Sequence, residues 1–513
     1  MTSRARLWVT AAGLLLAATL AYALRDNLTS NELDTLQTAR RWLDAGYVPG
    51  DWFLGTDQGP RRPFQVLLSP LLATLPMVWV SVVGRVLGFA ALAWATARLA
   101  LRVGAAPWLT WLAALLFVGS GQGVVGGEWL VGQVESKVAA YAFILVGLQA
   151  WLDERPVVAG ACLGLATSLH VLVGGQASLA LTLAWLVERP WRSPRPALRA
   201  ASAWLVGALP ALVLVWSASR TVVQSDPPMS WIYVVFRVPH HADPNSWAWT
   251  WRLLLWLVML VGVLGWSLRR DDARPERQRL ARFGLLALVP CALGLLAAVL
   301  PDGHRYLQFL PFRVGALVLP LVALLLGAAW ASDATASWSL PRHRTVLGLT
   351  GLTLVACAGW SLPRQLAQLL QLPEGGRPMH AGDTAADLAT LARWLRDHGP
   401  PGGVLASPAH DSVGYLSQRP VVATYTQVPP NHTDVVHWYH RIVDLAGGTT
   451  PSERGSALLP VLDARFERLP PAQVQELARR YGMRILLARR TDLAWAPLHQ
   501  QGVWTAWVIP EEP

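Results

Sequence analysis

Between Arg25 and Pro63 the chain carries six acids, Asp26, Glu32, Asp34, Asp44, Asp51 and Asp57, directly after an apolar run from Leu7 to Leu24. A carboxylate held at such a place can take the proton of an attacking hydroxyl. Wound as a helix at about 100° per residue from Glu32, the stretch puts Leu33, Leu36, Ala39 and Leu43 between about −20° and +100°. Glu32 sits within that apolar stripe, and Asp34 falls near ~200°, on the wet face. A helix lying along a membrane surface then aims Glu32 at the bilayer boundary and Asp34 at bulk water. The plainer alternative is a solvated surface helix with an acid in its first turn, where the helix dipole favours one.

Three further polar stretches combine cations with aromatics. Glu128 and Trp129 follow Gly126-Gly127 and lead through Glu135 and Lys137 to Tyr141; Arg237, His240, His241 and Asp243 surround Pro239; His304, Arg305 and Tyr306 follow Pro301-Asp302 and lead to Arg313. Arginine and lysine in a partly desolvated site stabilise the charge that develops on a departing phosphate. Equally, loops are polar by default, Trp and Tyr anchor membrane interfaces, and Glu135 has Lys137 to pair with. His170 stands at the turn of a predicted hairpin, either satisfying freed carbonyls or facing the same depth as these loops. The adjacent histidines, with Asp243 or a first-loop acid as an oxygen ligand, raise the question of a divalent metal. They lack the i, i+4 spacing of a helical zinc site, so no cofactor is firmly implied.

The elements that must position these residues are membrane spans. Of 513 residues 53% are hydrophobic and 15% charged, and long apolar runs recur through the first 363. Beyond the run at 7–24, spans are predicted at 77–97, 106–121, 138–152, 156–170, 171–188, 200–218, 253–267, 283–300, 314–331 and 345–362, about eleven in all. The pair around His170 is short of the roughly twenty residues that a perpendicular span needs, and a re-entrant pair would return the chain to the same side. Ala21-Tyr22-Ala23 also permits a cleaved secretory signal; an uncleaved first span is the preferred reading. The three cysteines, Cys162, Cys291 and Cys357, fall within apolar runs, so no disulfide framework is indicated.

Loops on the N-terminal side of these spans hold 17 Arg in 55 residues, the opposite loops 11 basic residues in 102. Positive-inside behaviour therefore puts the N-terminus in the cytoplasm and the acid-rich first loop outside. The same count favours one unsplit span through Arg85, which becomes an intramembrane or interfacial charge. The net charge of +11 reports orientation and gives no ground for a nucleic-acid partner.

Composition changes after Pro363. Gln371–Pro378 reads as a linker, and residues 379–513 as a small outward-facing α/β domain beside a transmembrane domain at 1–363. Its predicted elements are helices at 387–396 and 471–481 and strands at 403–406, 483–488 and 503–509.

On these residues the chain resembles the polytopic membrane glycosyltransferases of the GT-C type, and more closely an uncharacterised bacterial membrane-protein family with that layout. The likeness rests on Asn31-Glu32, Asp51-Trp52-Phe53, Glu128 with Glu135-Ser136-Lys137, the His170 to Gly174 turn, Pro239-His240-His241, Gln418-Arg419-Pro420, and Trp438 to Arg441. It implies a mainly α transmembrane bundle with a small periplasmic α/β domain, in a cytoplasmic membrane. It also implies inverting transfer of a sugar from a polyprenyl-phosphate donor to an acceptor at the outer face. By position Glu32 matches the general base, with Asp26 next. A paired Asp-Asp or Asp-Glu is common there, and this chain has Asn31-Glu32 instead. Glu128, Glu135, Lys137, His170, Arg237, His240, His241 and Arg305 are then the substrate-binding set. Two other functions fit the same layout: a lipid-carrier transporter or flippase, which predicts repeated halves that the sequence lacks, and a non-catalytic envelope-assembly protein on the same scaffold.

Overall fold

The computed structural model describes residues 2–19, 28, 30–188, 194–220, 223–270, 274–339, 341–342, 345–352 and 383–510. Two compact units divide the chain. One is built from Met1–Leu24, Val82–Val215 and Pro239–Ala367, the other from Arg25–Ser81, Trp216–Val238 and Gln368–Pro513. The second unit thus draws the first loop and part of a later one into the same body as the tail.

Apolar helices make the first unit. Among the described residues five helices are long and apolar enough to cross a membrane: Met77–Arg102, Pro194–Ser219, Trp251–Arg269, Pro275–Ala298 and Phe312–Ala334. Four shorter apolar helices, Pro107–Gly119, Ser136–Leu152, Pro156–Leu169 and Val171–Val187, lie at the remaining predicted positions through 188. Ser3–Ala18 is a further helix, and the predicted span at 345–362 falls largely outside the described residues. Val206 and Val258 are 74% and 68% exposed, an apolar outward surface that only a lipid solvent would favour. The helix through Arg85 is continuous, and its side chain is buried. Close approach elsewhere depends on small residues: a Cβ on Gly160 would meet the Ala200 carbonyl oxygen at 2.1 Å and one on Gly164 the Trp204 carbonyl oxygen at 2.4 Å, so the backbones of two helices touch there.

In the second unit a four-stranded sheet is ordered β1-β2-β4-β3, with β1 at Val404–Ala406, β2 at Met483–Ala488, β3 at Pro497–Gln501 and β4 at Trp504–Val508. β1 runs parallel to β2, and the other pairings are antiparallel. Side chains alternate across it. Ile485 and Leu487 join Leu388, Leu391 and Leu395 of helix Asp383–His398 on one face, while Leu486 and Ala488 join Trp438, Ile442, Leu462 and Leu477 on the other. The same second core takes in Ile232 and Phe236 from a π-helical turn, Ile232–Arg237. Helix Ser30–Leu43 packs on helix Arg62–Thr74 and on helix Ser412–Ser417. Asp51 fixes the connection between these segments, accepting from Leu54 N at 2.8 Å and from Val421 N at 3.0 Å. The predicted tail elements are present within a few residues; helices Ser412–Ser417, His432–Leu445 and Leu458–Glu467 and strand β3 are additional.

Candidate functional site

Each unit gathers a polar cluster. In the first, an irregular loop sets Glu128. Gly121, Gln122, Gly126 and Gly127 have φ of 90°, 70°, 70° and 57°, a run of left-handed backbone for which glycine is the low-strain residue. Gln122 folds the loop on itself, its Oε1 accepting from Leu130 N at 2.7 Å and Val131 N at 2.6 Å. Glu128 ends 2% exposed. Arg313 Nε donates to its Oε1 at 2.9 Å, and Lys137 Nζ lies 3.7 Å from its Oε2 and 3.3 Å from Glu135 Oε2. The lysine also sits over the Trp129 ring, 3.5 Å from the centroid, a cation–π contact.

Two histidines complete this cluster. His241 Nδ1 hydrogen-bonds the Gly126 carbonyl oxygen and lies 3.9 Å from Glu128 Oε1; since a carbonyl only accepts, Nδ1 carries the proton. Arg313 Nη1 reaches His170 Nε2 at 3.2 Å, and Val173 N approaches its Nδ1 at 3.4 Å. A neutral imidazole accepts at one nitrogen only, and the shorter contact favours Nε2. Burial alone would raise the Glu128 carboxyl, but Arg313 and then Lys137 outweigh it and bring it down to about 2. Burial pushes His241 down to about 4, against the pull of Glu128. At neutral pH Glu128 is therefore ionised beside Arg313 and Lys137, and His241 is neutral.

The second unit holds the first-loop acids. Glu32 is fully buried and its Oε1 accepts from Ser81 Oγ at 2.9 Å. Leu33, Leu36 and Ala39 are buried as their stripe requires, whereas Leu43 is 39% exposed. Asp34 differs from expectation: it is only 9% exposed. Helical projection treats one face as solvated, but helix Ser412–Ser417 of the tail packs on this helix, and Asp411 and Gln427 lie beside Asp34. Burial raises the Asp34 carboxyl to about 8, opposed by Arg61, reinforced by Asp411, and opposed again by Arg237 and Gln427. Asp411, also buried, is raised chiefly by burial against the pull of Arg237. Arg237 Nη2 donates to Thr426 O at 3.1 Å, with its guanidinium over the Tyr425 ring at 4.8 Å. Arg61 Nη2 donates to Val428 O at 3.3 Å.

Of the substrate-binding set read from sequence, Glu128, Glu135, Lys137, His170 and His241 come together in the first unit, and the His240 ring lies 4.1 Å from that of His241. Arg237 and Glu32 belong to the second unit. Arg305 joins neither cluster: its side chain is 72% exposed and pairs with Asp302 at 3.7 Å. Asp26 lies outside the described residues. Among the described residues no three of His, Cys, Asp and Glu converge as a metal would require. Sequence reasoning missed Arg313 as the partner of Glu128, and it missed Asp34, Asp411 and Arg61. The signal at Asp34 lies in its spacing: Asp34, Gln37 and Thr38, at i, i+3 and i+4, put short hydrogen-bonding side chains on one face.

A family model described as a domain of unknown function, DUF6798, matches residues 386–445. No curated protein matches the chain in sequence. Among solved structures the chain is similar to the crystal structure of ArnT from Cupriavidus metallidurans bound to undecaprenyl phosphate, at 13% identity and a TM-score of 0.44, over 99% of each chain.

Proposed function

We propose that the protein is an inverting membrane glycosyltransferase, moving a sugar from a polyprenyl-phosphate donor to an acceptor hydroxyl at the outer face of a cytoplasmic membrane. The observation that carries this reading is Asp34, a buried first-loop carboxyl raised to about 8 with Arg61 and Arg237 near it. A general base works best with a pKa near the operating pH. In the reaction, Asp34 takes the acceptor proton as the acceptor oxygen bonds to the anomeric carbon. The bond from that carbon to the phosphate oxygen breaks, and its electron pair leaves on the lipid phosphate. Glu32 is the second acid to test, and Asp26 the third. The N-terminus lies inside and the tail outside, an orientation that the distribution of arginine supports.

The test is transfer of labelled sugar from a panel of polyprenyl-phosphate donors by the purified full chain in lipid nanodiscs. Wild type transfers, and Asp34→Asn loses roughly 10²- to 10⁴-fold in rate without melting earlier than wild type. Transfer by Asp34→Asn at the wild-type rate moves the base to Glu32 or Asp26. Absence of transfer from every donor favours a lipid-carrier transporter or a non-catalytic assembly protein.

A further inference from the structure

Around Asp34, several buried polar atoms have no hydrogen-bond partner within the chain: Asp34 Oδ1, Gln37 Nε2, Arg237 Nε, Asp411 Oδ1 and Thr426 Oγ1. Asp34 is 9% exposed, Gln37 3% and Asp411 6%, so these groups are largely shielded from bulk water. Arg237 and Asp411 both act on Asp34, Thr426 lies beside Asp411, and Gln37 follows Asp34 by one helical turn. Buried polar atoms are paired in the great majority of cases. A group of them in one place, acceptors and donors interleaved, calls for a partner that offers both.

Net charge narrows the partner. Two carboxyls, Asp34 and Asp411, stand with two guanidiniums, Arg61 and Arg237. An ammonium sugar would meet the guanidiniums, and an anionic sugar would push the Asp34 and Asp411 carboxyls, already raised by burial, further up and so take the base from Asp34. A hydroxyl donates to a carboxylate and accepts from an amide or guanidinium N–H, which suits this mixture.

We infer that Asp34, Gln37, Arg237, Asp411 and Thr426 form a binding site for an uncharged pyranose, with Asp411 and Thr426, both from the tail, as its specificity-determining residues. The inference rests on the glycosyltransferase reading of this cluster and adds the class of sugar. Asp411 does not take the acceptor proton; its substitution acts on binding and, by removing a charge that raises the Asp34 carboxyl, lowers the pH at which the rate levels, so kcat is compared above that pH.

The experiment is saturation-transfer NMR on the full chain in nanodiscs with three methyl pyranosides: neutral, 6-carboxylate and 2-amino. The neutral pyranoside binds tightest, and both Asp411→Asn and Thr426→Val weaken it roughly tenfold or more, the loss expected for a hydrogen bond to a charged or buried group. In sugar transfer the same variants raise KM while kcat stays within about threefold. Should Asp411→Asn melt early, Thr426→Val carries the comparison. Tighter binding of either charged pyranoside, or unchanged binding by both variants, overturns the inference. A wild type that binds the neutral pyranoside with this dependence but transfers no sugar overturns the transfer reading and leaves the site standing.

Discussion

Arg313 and Glu128, 185 residues apart in the chain, meet at 2.9 Å. Their pairing closes the polar cluster of the first unit, because the same carboxylate also faces Lys137 and His241. Removing it takes from Arg313 the carboxylate to which it donates and leaves Lys137 to Glu135. Glu128→Gln is expected to cost about 3–5 kcal/mol, read as a lower melting temperature in nanodiscs. A melting profile equal to wild type would mean that the cations find other partners.

The same carboxyl gives the protein an acid limit. Its folded-state value of about 2 lies below the ordinary 4.5, so the unfolded chain binds the proton more readily. The stability it contributes is complete above about pH 4.5 and is lost as pH falls toward about 2. Melting followed over that window separates it from Glu128→Gln, whose profile there is flatter.

Asp34 has the opposite sign. Its folded-state value, about 8, lies above the ordinary 3.8. Its contribution to stability is complete below about pH 3.8 and is lost as pH rises through about 8. Activity runs the other way, since only the ionised form accepts a proton: the rate of sugar transfer climbs with pH until about 8 and then levels. A rate that is already level at pH 6 rules out Asp34 as the base.

Asp51 accepts two backbone N–H groups, one on each side of a long sequence gap. Asp51→Ala removes a helix cap and leaves the buried Val421 N–H unpaired, a combined loss of roughly 2–4 kcal/mol. Asp51→Asn keeps one acceptor oxygen and is expected to fall between. Thermal unfolding of the three proteins gives the order, and an Asp51→Ala protein as stable as wild type removes Asp51 from this role.

Orientation is tested by cysteine labelling in intact cells after replacement of the three native cysteines. A cysteine at Ala472, exposed on helix Pro471–Tyr481, is expected to react with an impermeant maleimide, and one at Pro275 is not. The reverse pattern inverts the topology.

Local periodicity carried much of this architecture. The apolar helices, the buried stripe Leu33, Leu36 and Ala39, and strand β2 all follow from spacing that a short window contains. What spacing does not contain is the identity of the far partner. Asp34 has the position of a solvated residue on its own helix, yet it is buried, with Asp411 and Gln427, nearly four hundred residues later, beside it. Phe236 reads as part of a polar loop, yet it is fully buried against Tyr425, Trp438 and Tyr439. Glu128 was visible as a loop acid; its arginine was not, because no rule of spacing relates a loop to the start of a helix so far along the chain.

Lys137 is the single lysine among 43 basic residues, and its side chain is 6% exposed beneath carboxylates and an indole ring. The folded chain therefore offers amine-reactive reagents almost no side-chain target. Acylation at this residue, counted by mass after a brief pulse, becomes a one-site clock for opening of the first unit. A ligand that displaces Glu128 or Glu135 from the ammonium group would change the clock's rate without any engineered label.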